Sequence, residues 1–302
     1  MAVTDDDKKP LAPSGWIYVG DNTHKLASRP GHQNDKAPAM ARGTLAPVFK
    51  TEEKNGARWA QVHILGLATA SAQVGWIEVG QAEIAPADAY PRDSALLAQI
   101  GGSSADDFFA QHTDIARFLL HESGGPPVLL CYVFCSRLPT AKLAAFTRHG
   151  EKFRLSTSLD YPINELQAGV VSLDVRDLVG DGNECFVTHE PFRQGPETRG
   201  KNLVIRRFAG DEFRTLWQAP LELRNLSEFR SKIQILDPSE KNIGAPGTVT
   251  TGDVTFRTQG NIQEPVWKGK VEFFLFGREE AADSVTLEKA CPWDGQAYTP
   301  LR

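Results

Sequence analysis

Short apolar runs separated by turn-forming residues set the pattern of this chain from residue 15 onward. The first run covers 16–19, and a turn rich in Asp, Asn and Thr leads to a second at 26–31. After a polar loop come 42–49, a turn through Lys54-Asn55-Gly56, then 58–64 and 74–79. Such runs, rich in β-branched and aromatic residues and bounded by Gly, Pro, Asn or Asp, are strands. Five of them within about 65 residues predict a small barrel.

The pattern then changes. Residues 83–92 contain two prolines and form a linker. Asp93 or Ser94 can cap a short helix through Ile100, closed by Gly101-Gly102. A second helix is predicted over 105–120, capped by Ser103 or Ser104. Phe108, Ile115, Phe118 and Leu119 recur there at helical spacing, and acidic residues sit in the first turn. His112 and His121 fall on its solvated side, and Gly124-Gly125-Pro126-Pro127 stops it.

From Val128 the runs are strands again, with a repeating form. Gly150, Gly210 and Gly295 each follow an apolar run, and an aromatic stands three residues later at Phe153, Phe213 and Tyr298. A turn Gly with positive φ followed by a return strand describes a hairpin. The glycines lie 60 and 85 residues apart. Three units at most therefore fit, whereas propellers close with about four to eight blades. The expectation is a mostly β chain: a flexible tail at 1–13, a small barrel at 14–82, a helical connector at 83–126, and at 127–302 an antiparallel β-sandwich or partial propeller-like sheets. Segments 189–202 and 238–263 are read as long loops, and as contact surfaces, since binding residues concentrate on loops held by a rigid scaffold.

Composition narrows the function classes. The chain has 302 residues, 41% of them hydrophobic and 24% charged, which suffices for about two domains with buried cores. Net charge is −5 and the basic residues are scattered, so there is no basic face for nucleic acid. No stretch reaches the ~18 apolar residues of a membrane-spanning helix. The N-terminus is acidic and polar, unlike a signal peptide, so either the protein is cytoplasmic or a signal has been removed. Cys131 and Cys135, about 13 Å apart along one strand, cannot bond to each other. Each is either a buried free thiol or bridged to Cys185 or Cys291.

Two resemblances add to this. Residues 14–82 carry Arg29-Pro30-Gly31, Gly43-Thr44, Asn55-Gly56, Trp59 with Val62, and Gly75-Trp76-Ile77, and in that order they resemble the bacterial SH3-like (SH3b) domain. The first turn is shortened and the last hairpin lengthened relative to that pattern. Domains of that family dock on cell-wall peptides or proteins, which makes Trp16, Tyr18, Trp59 and Trp76 the candidate ligand-binding residues, the alternative being that they fill a small core. Residues 169–188, an apolar run, the turn Gly180-Asp181-Gly182 and a second run, resemble the calcium loop of FG-GAP/VCBS repeats. Calcium takes oxygen ligands at alternate positions with a Gly at the sharp turn. Asp177, Asp181 and Glu184 are the candidate ligands, although Val179 and Cys185 occupy two of the expected ligand positions. The other reading is a polar turn in which Gly182 has positive φ and Asp181 makes an Asx-turn.

No nucleophile elbow, His-Glu-x-x-His, phosphate-cradling loop or dinucleotide fingerprint is present. Without such motifs, the two resemblances imply a non-catalytic binding or scaffold protein, periplasmic or extracellular, whose partner is a protein or cell-wall polymer. One alternative is a wall or glycan hydrolase with an SH3-like anchor, predicted to gather Asp174, Asp177, Asp181, Glu184 and His189 in a cleft. Another is a structural subunit of a homo-oligomer, since unpaired strand edges invite pairing with another chain.

Overall fold

A computed structural model describes residues 12–20, 25–32, 40–66, 71–79, 84–101, 113–135, 140–162, 172–194, 198–225, 247–274 and 280–301. They are mostly β, in three antiparallel sheets with one short helix. Two compact units divide the chain: 1–119 with 126–138 and 142–159, and 120–125 with 139–141 and 160–302.

The first unit holds a curled five-stranded sheet and most of a four-stranded one. β1 (Gly15–Tyr18), β2 (Leu45–Lys54), β3 (Ala57–Gly66), β4 (Ser71–Glu78) and β5 (Ala85–Pro86) stand in the order β4-β3-β2-β1-β5. Asn55 and Gly56 join β2 to β3 with φ of 55° and 77°, the backbone of a type I′ turn, whose twist matches that of the strands it joins. Inside the curl lie Ile17, Val19, Met40, Ala46, Val48, Ala60, Val62, Ile77 and Val79. Helix α1 (Asp93–Gly101) begins at Asp93, whose carboxylate accepts the Arg117 guanidinium while the first helical N–H groups go to the Arg92 carbonyl.

The segment read as a second helix is strand where it is described. β6 (Thr113–Leu120), β7 (Val128–Cys135), β8 (Thr140–His149) and β9 (Lys152–Pro162) follow one another across the four-stranded sheet; 105–112 lie outside the described residues. The run Ala116 to Leu120 is buried on both faces, and a fully buried strand has the same continuous apolar signature as a short buried helix. Leu119 donates its N–H to the Gly43 carbonyl and packs with Trp16, Leu96, Leu129, Cys131 and Phe146 in the core of this unit. The strands from 128 to 159, read as the start of a C-terminal domain, thus belong mainly to the first unit.

The second unit is built on a seven-stranded meander: β10 (Ser172–Arg176), β11 (Cys185–Gln194), β12 (Thr198–Ala209), β13 (Glu212–Asn225), β14 (Gly247–Gln259), β15 (Ile262–Phe274) and β16 (Asp283–Ala290). Its core collects Leu178, Cys185, Val187, Leu203, Ile205, Trp217, Trp267 and Tyr298. The loops read at 189–202 and 238–263 are therefore largely strand: β11 and β12 pair from Cys185↔Arg207 to Gln194↔Thr198, and β14 pairs along its whole length with β15. Residues 195–197 and 238–246 lie outside the described residues. Pro191 lies past the last β10–β11 pair, Ser172↔His189, and opposite Lys201 of β12.

The turn glycines behave as read at two of three places. Gly150 and Gly210 have φ of 62° and 59°, and Phe153 and Phe213 each lie one residue into the return strand. Gly295 is different. It sits in a loop where Asp294 accepts the N–H groups of Gln296 and Ala297, and Tyr298 meets Trp293 in an isolated bridge rather than a strand. The third long hairpin instead turns at Gly260, φ 62°.

Candidate functional site

The Gly-Asp-Gly segment is a turn held by its own carboxylates. Asp177 accepts the N–H of Gly180 through Oδ1 at 2.7 Å and of Gly182 through Oδ2 at 3.0 Å. Gly180 and Gly182 have φ of 72° and 79°, which L side chains rarely adopt. Asp181 accepts the Asn183 N–H at 3.0 Å, closing an Asx-turn, and receives Arg207 as a fork at 2.9 and 3.2 Å. Glu184 turns away: Oε2 accepts the backbone N–H of His121 at 2.7 Å and lies 3.0 Å from its Nδ1, while the Glu184 N–H donates back to the His121 carbonyl at 2.9 Å. Asn183 Oδ1 accepts the Ser123 N–H at 2.9 Å. Segment 121–123 is thus clasped to 183–184 from both sides.

Asp177, Asp181 and Glu184 consequently face separate partners and form no calcium cage. Among the described residues, no group of three or more His, Cys, Asp or Glu side chains converges in a way that could hold a metal ion. The hydrolase constellation is likewise dispersed. Asp174 pairs with Arg176 at 2.5 Å, and His189, half-buried on β11, lies near Lys201 and Asp253. Burial pushes the His189 imidazole below its ordinary value, Lys201 adds to this and Asp253 opposes it. Cys185 is buried beside Arg207. Cys131, Cys185 and Cys291 are all buried and unbridged.

One polar cluster escaped the sequence reading. Glu190, buried on β11, accepts Tyr161 Oη at 2.8 Å, Thr188 Oγ1 at 2.5 Å and the Arg206 guanidinium, all through Oε1. Thr188-x-Glu190 places these two side chains on one side of the same strand, but nothing local points to Tyr161 or Arg206.

The four candidate aromatics are divided. Trp16 is buried between α1, β6 and the five-stranded sheet, its Nε1 donating to the Ala87 carbonyl at 3.1 Å and its ring 5.1 Å from the Arg117 guanidinium. Tyr18 is half-buried against the same core. Trp59 and Trp76 pack with Ala27 as a small cluster on the opposite side of the sheet from the residues inside the curl. These four are therefore mostly core and do not line an open groove.

The sheet register shows what else stands on the outer face. Trp59, Gln61 and His63 alternate along β3, and their partners on β4 are Glu78, Trp76 and Val74. Val74 is 53% exposed, and the His63 ring meets Phe49 at a tilt of 54° with centroids 4.8 Å apart. Partial burial holds the His63 imidazole below its ordinary value against the pull of Asp114. Lys50 reaches over Trp76, 6.0 Å from the ring centroid. The face thus carries an aromatic strip ending in open apolar surface.

Among the described residues no helix is long and apolar enough to cross a membrane. Comparison with known protein families, curated proteins and solved structures returned no match.

Proposed function

We propose that this is a non-catalytic binding or scaffold protein of a bacterial envelope or extracellular assembly, recognising a peptide, wall polymer or protein partner through the outer face of the five-stranded sheet. The observation that carries this is the exposure of Val74 beside Phe49 and His63, whose rings are in contact, on the same face as Trp59 and Trp76. Aromatic and apolar anchors bordered by a cation are the usual elements of peptide recognition. The side chains best suited to chemistry are engaged elsewhere: Asp177 and Asp181 hold a turn, Glu184 a chain crossing, and Glu190 a buried cluster. The envelope setting follows from the resemblance of residues 14–82 to SH3b domains.

The test is a display selection of peptides, together with soluble wall fragments, against the whole protein, counter-screened on Val74→Glu and Phe49→Ala. Ligands that bind the parent and lose at least about tenfold in affinity on both variants, roughly one anchor each, support the reading. Ligands that bind all three proteins equally overturn it.

A further inference from the structure

Three of the four large apolar side chains exposed among the described residues lie together, far from Val74 in the sequence: Phe273 on β15 at 40%, and Val285 and Leu287 on β16 at 43% and 48%. Their register puts them on one face, with Asp283↔Phe273, Val285↔Val271 and Leu287↔Gly269 directly opposite. The other face of the same strands is charged, with Lys268 3.5 Å from Glu288 and Lys270 2.6 Å from Glu272. β16 is also the last strand of the sheet, and among the described residues its outer edge is unpaired.

We infer that β16 pairs antiparallel with β16 of a second copy of this chain, about a two-fold axis through Thr286. The strand reads Asp283-Ser-Val-Thr-Leu-Glu-Lys-Ala290, with neither Pro nor Gly to interrupt pairing. In a two-fold antiparallel pair residue i faces residue j of the second copy and j faces i, the two lying equally far on either side of the axis residue. With Thr286 opposite Thr286, Asp283 meets Lys289, Val285 meets Leu287 and Ser284 meets Glu288. Opposite charges and apolar side chains are matched in this one register. Centring on Leu287 would set Val285 against Lys289, and centring on Val285 would set Asp283 against Leu287.

The backbone polarity of the edge is compatible with this register. The Cys291 N–H donates to the Pro265 carbonyl at 2.9 Å, continuing the β15–β16 ladder, so odd-numbered residues point their polar backbone groups inward. Ser284, Thr286 and Glu288 then direct theirs off the free edge. In the proposed dimer these become the hydrogen-bonded pairs. Val285–Leu287 and Asp283–Lys289 fall at the non-hydrogen-bonded sites, where side chains approach most closely. The product is a continuous sheet across two copies, with its apolar face on one side. This pairing lies on the second unit and is independent of the recognition face proposed above.

The experiment is sedimentation equilibrium of the whole protein over a wide concentration range, for the parent, Thr286→Pro, Asp283→Lys, Lys289→Glu and the double charge exchange. Proline is tolerated where the N–H points off an edge, so Thr286→Pro keeps the fold, checked by circular dichroism, and removes the central pair of bonds. The proposal expects a monomer–dimer equilibrium in the parent and a monomer with Thr286→Pro. Each single charge reversal should weaken dimerisation about tenfold, and the double exchange should restore it to within about threefold of the parent. A parent that stays monomeric, a dimer indifferent to the single reversals, or a double exchange that fails to restore it would each overturn the proposal. So would a preference for a heterologous strand peptide over self-pairing.

Discussion

Gly252 on β14 and Gly269 on β15 are cross-strand partners, and the indole of Trp267 lies over both. A Cβ at Gly269 would stand 2.0 Å from the Trp267 ring, and one at Gly252 would stand 2.3 Å from its Nε1 and 2.7 Å from the Pro220 carbonyl oxygen. That carbonyl accepts the indole N–H at 2.8 Å. The paired glycines thus form a slot in the sheet that the tryptophan fills, an aromatic covering strand positions that have no side chain of their own. Gly269→Ala and Gly252→Ala should each displace the ring and cost about 1–3 kcal/mol as overpacking. Denaturant titration followed by tryptophan fluorescence would register this; an unchanged midpoint for both variants would contradict it.

The acidic turn predicts a pH dependence. Burial pushes the Asp181 carboxyl up, but the Asn183 amide and the Arg207 guanidinium outweigh it, so the group sits below its ordinary 3.8. A carboxyl lowered in the folded state contributes stability that is present above its ordinary value and lost as pH falls through the lowered one. Asp181→Asn should therefore be less stable than the parent at pH 7 and indistinguishable from it at the acid end of the range. Thermal unfolding of both proteins between pH 7 and about 2.5 measures the difference; a constant gap at every pH would show that the loss is not electrostatic.

Much of this fold was legible because it is local. The Asn55-Gly56, Gly150 and Gly210 turns announce their hairpins through backbone conformations that few residues tolerate. The strand β14 was not legible: Thr248, Thr250, Thr251 and Thr255 pair well in a sheet but give none of the apolar alternation by which a strand is read. β6 was misread because burial on both faces erases the period that separates strand from helix. The turn at 177–184 shows the same division. Its Asx geometry was contained in Gly180-Asp181-Gly182, whereas the partners that occupy its carboxylates, Arg207 and His121, lie 26 and 63 residues away. Trp16, Trp59 and Trp76 were visible as aromatics, but whether an aromatic fills a core or lines a groove depends on layers that only the folded chain brings together.

Cys131 gives a chemical prediction. Burial pushes its thiol up to about 12; Arg117 pulls against that shift and Asp93 adds to it. The thiolate is the reactive form, so this cysteine should resist alkylation in the folded protein and react once it unfolds. A thiol raised in this way favours the fold below its ordinary 9.0, and that contribution is lost as pH climbs toward the folded value. Peptide-resolved labelling with iodoacetamide at pH 8.5, with and without denaturant, distinguishes the cases; rapid labelling of Cys131 in the native protein would contradict its burial.

The Glu190 cluster yields the sharpest stability test, because its charges are almost out of water. Glu190 and Arg206 have 8% and 14% of their side-chain surfaces exposed, and Tyr161 and Thr188 donate to the same carboxylate oxygen. Removing one partner of a buried ion pair leaves the other uncompensated and typically costs about 3–5 kcal/mol, whereas replacing both with apolar groups can be nearly neutral. Glu190→Leu alone strands a guanidinium and the donors of Tyr161 and Thr188. Arg206→Leu alone leaves a carboxylate that keeps its two hydroxyl donors, so it should be the milder change. The double Glu190→Leu, Arg206→Leu variant should recover most of the charge loss, leaving a residue of about 1–3 kcal/mol for the hydroxyls that lose their acceptor. A double-mutant cycle by urea unfolding reads all three values. Additive losses would mean that the two charges are solvated independently; a coupling of about 2 kcal/mol or more is expected for a pair this deeply buried.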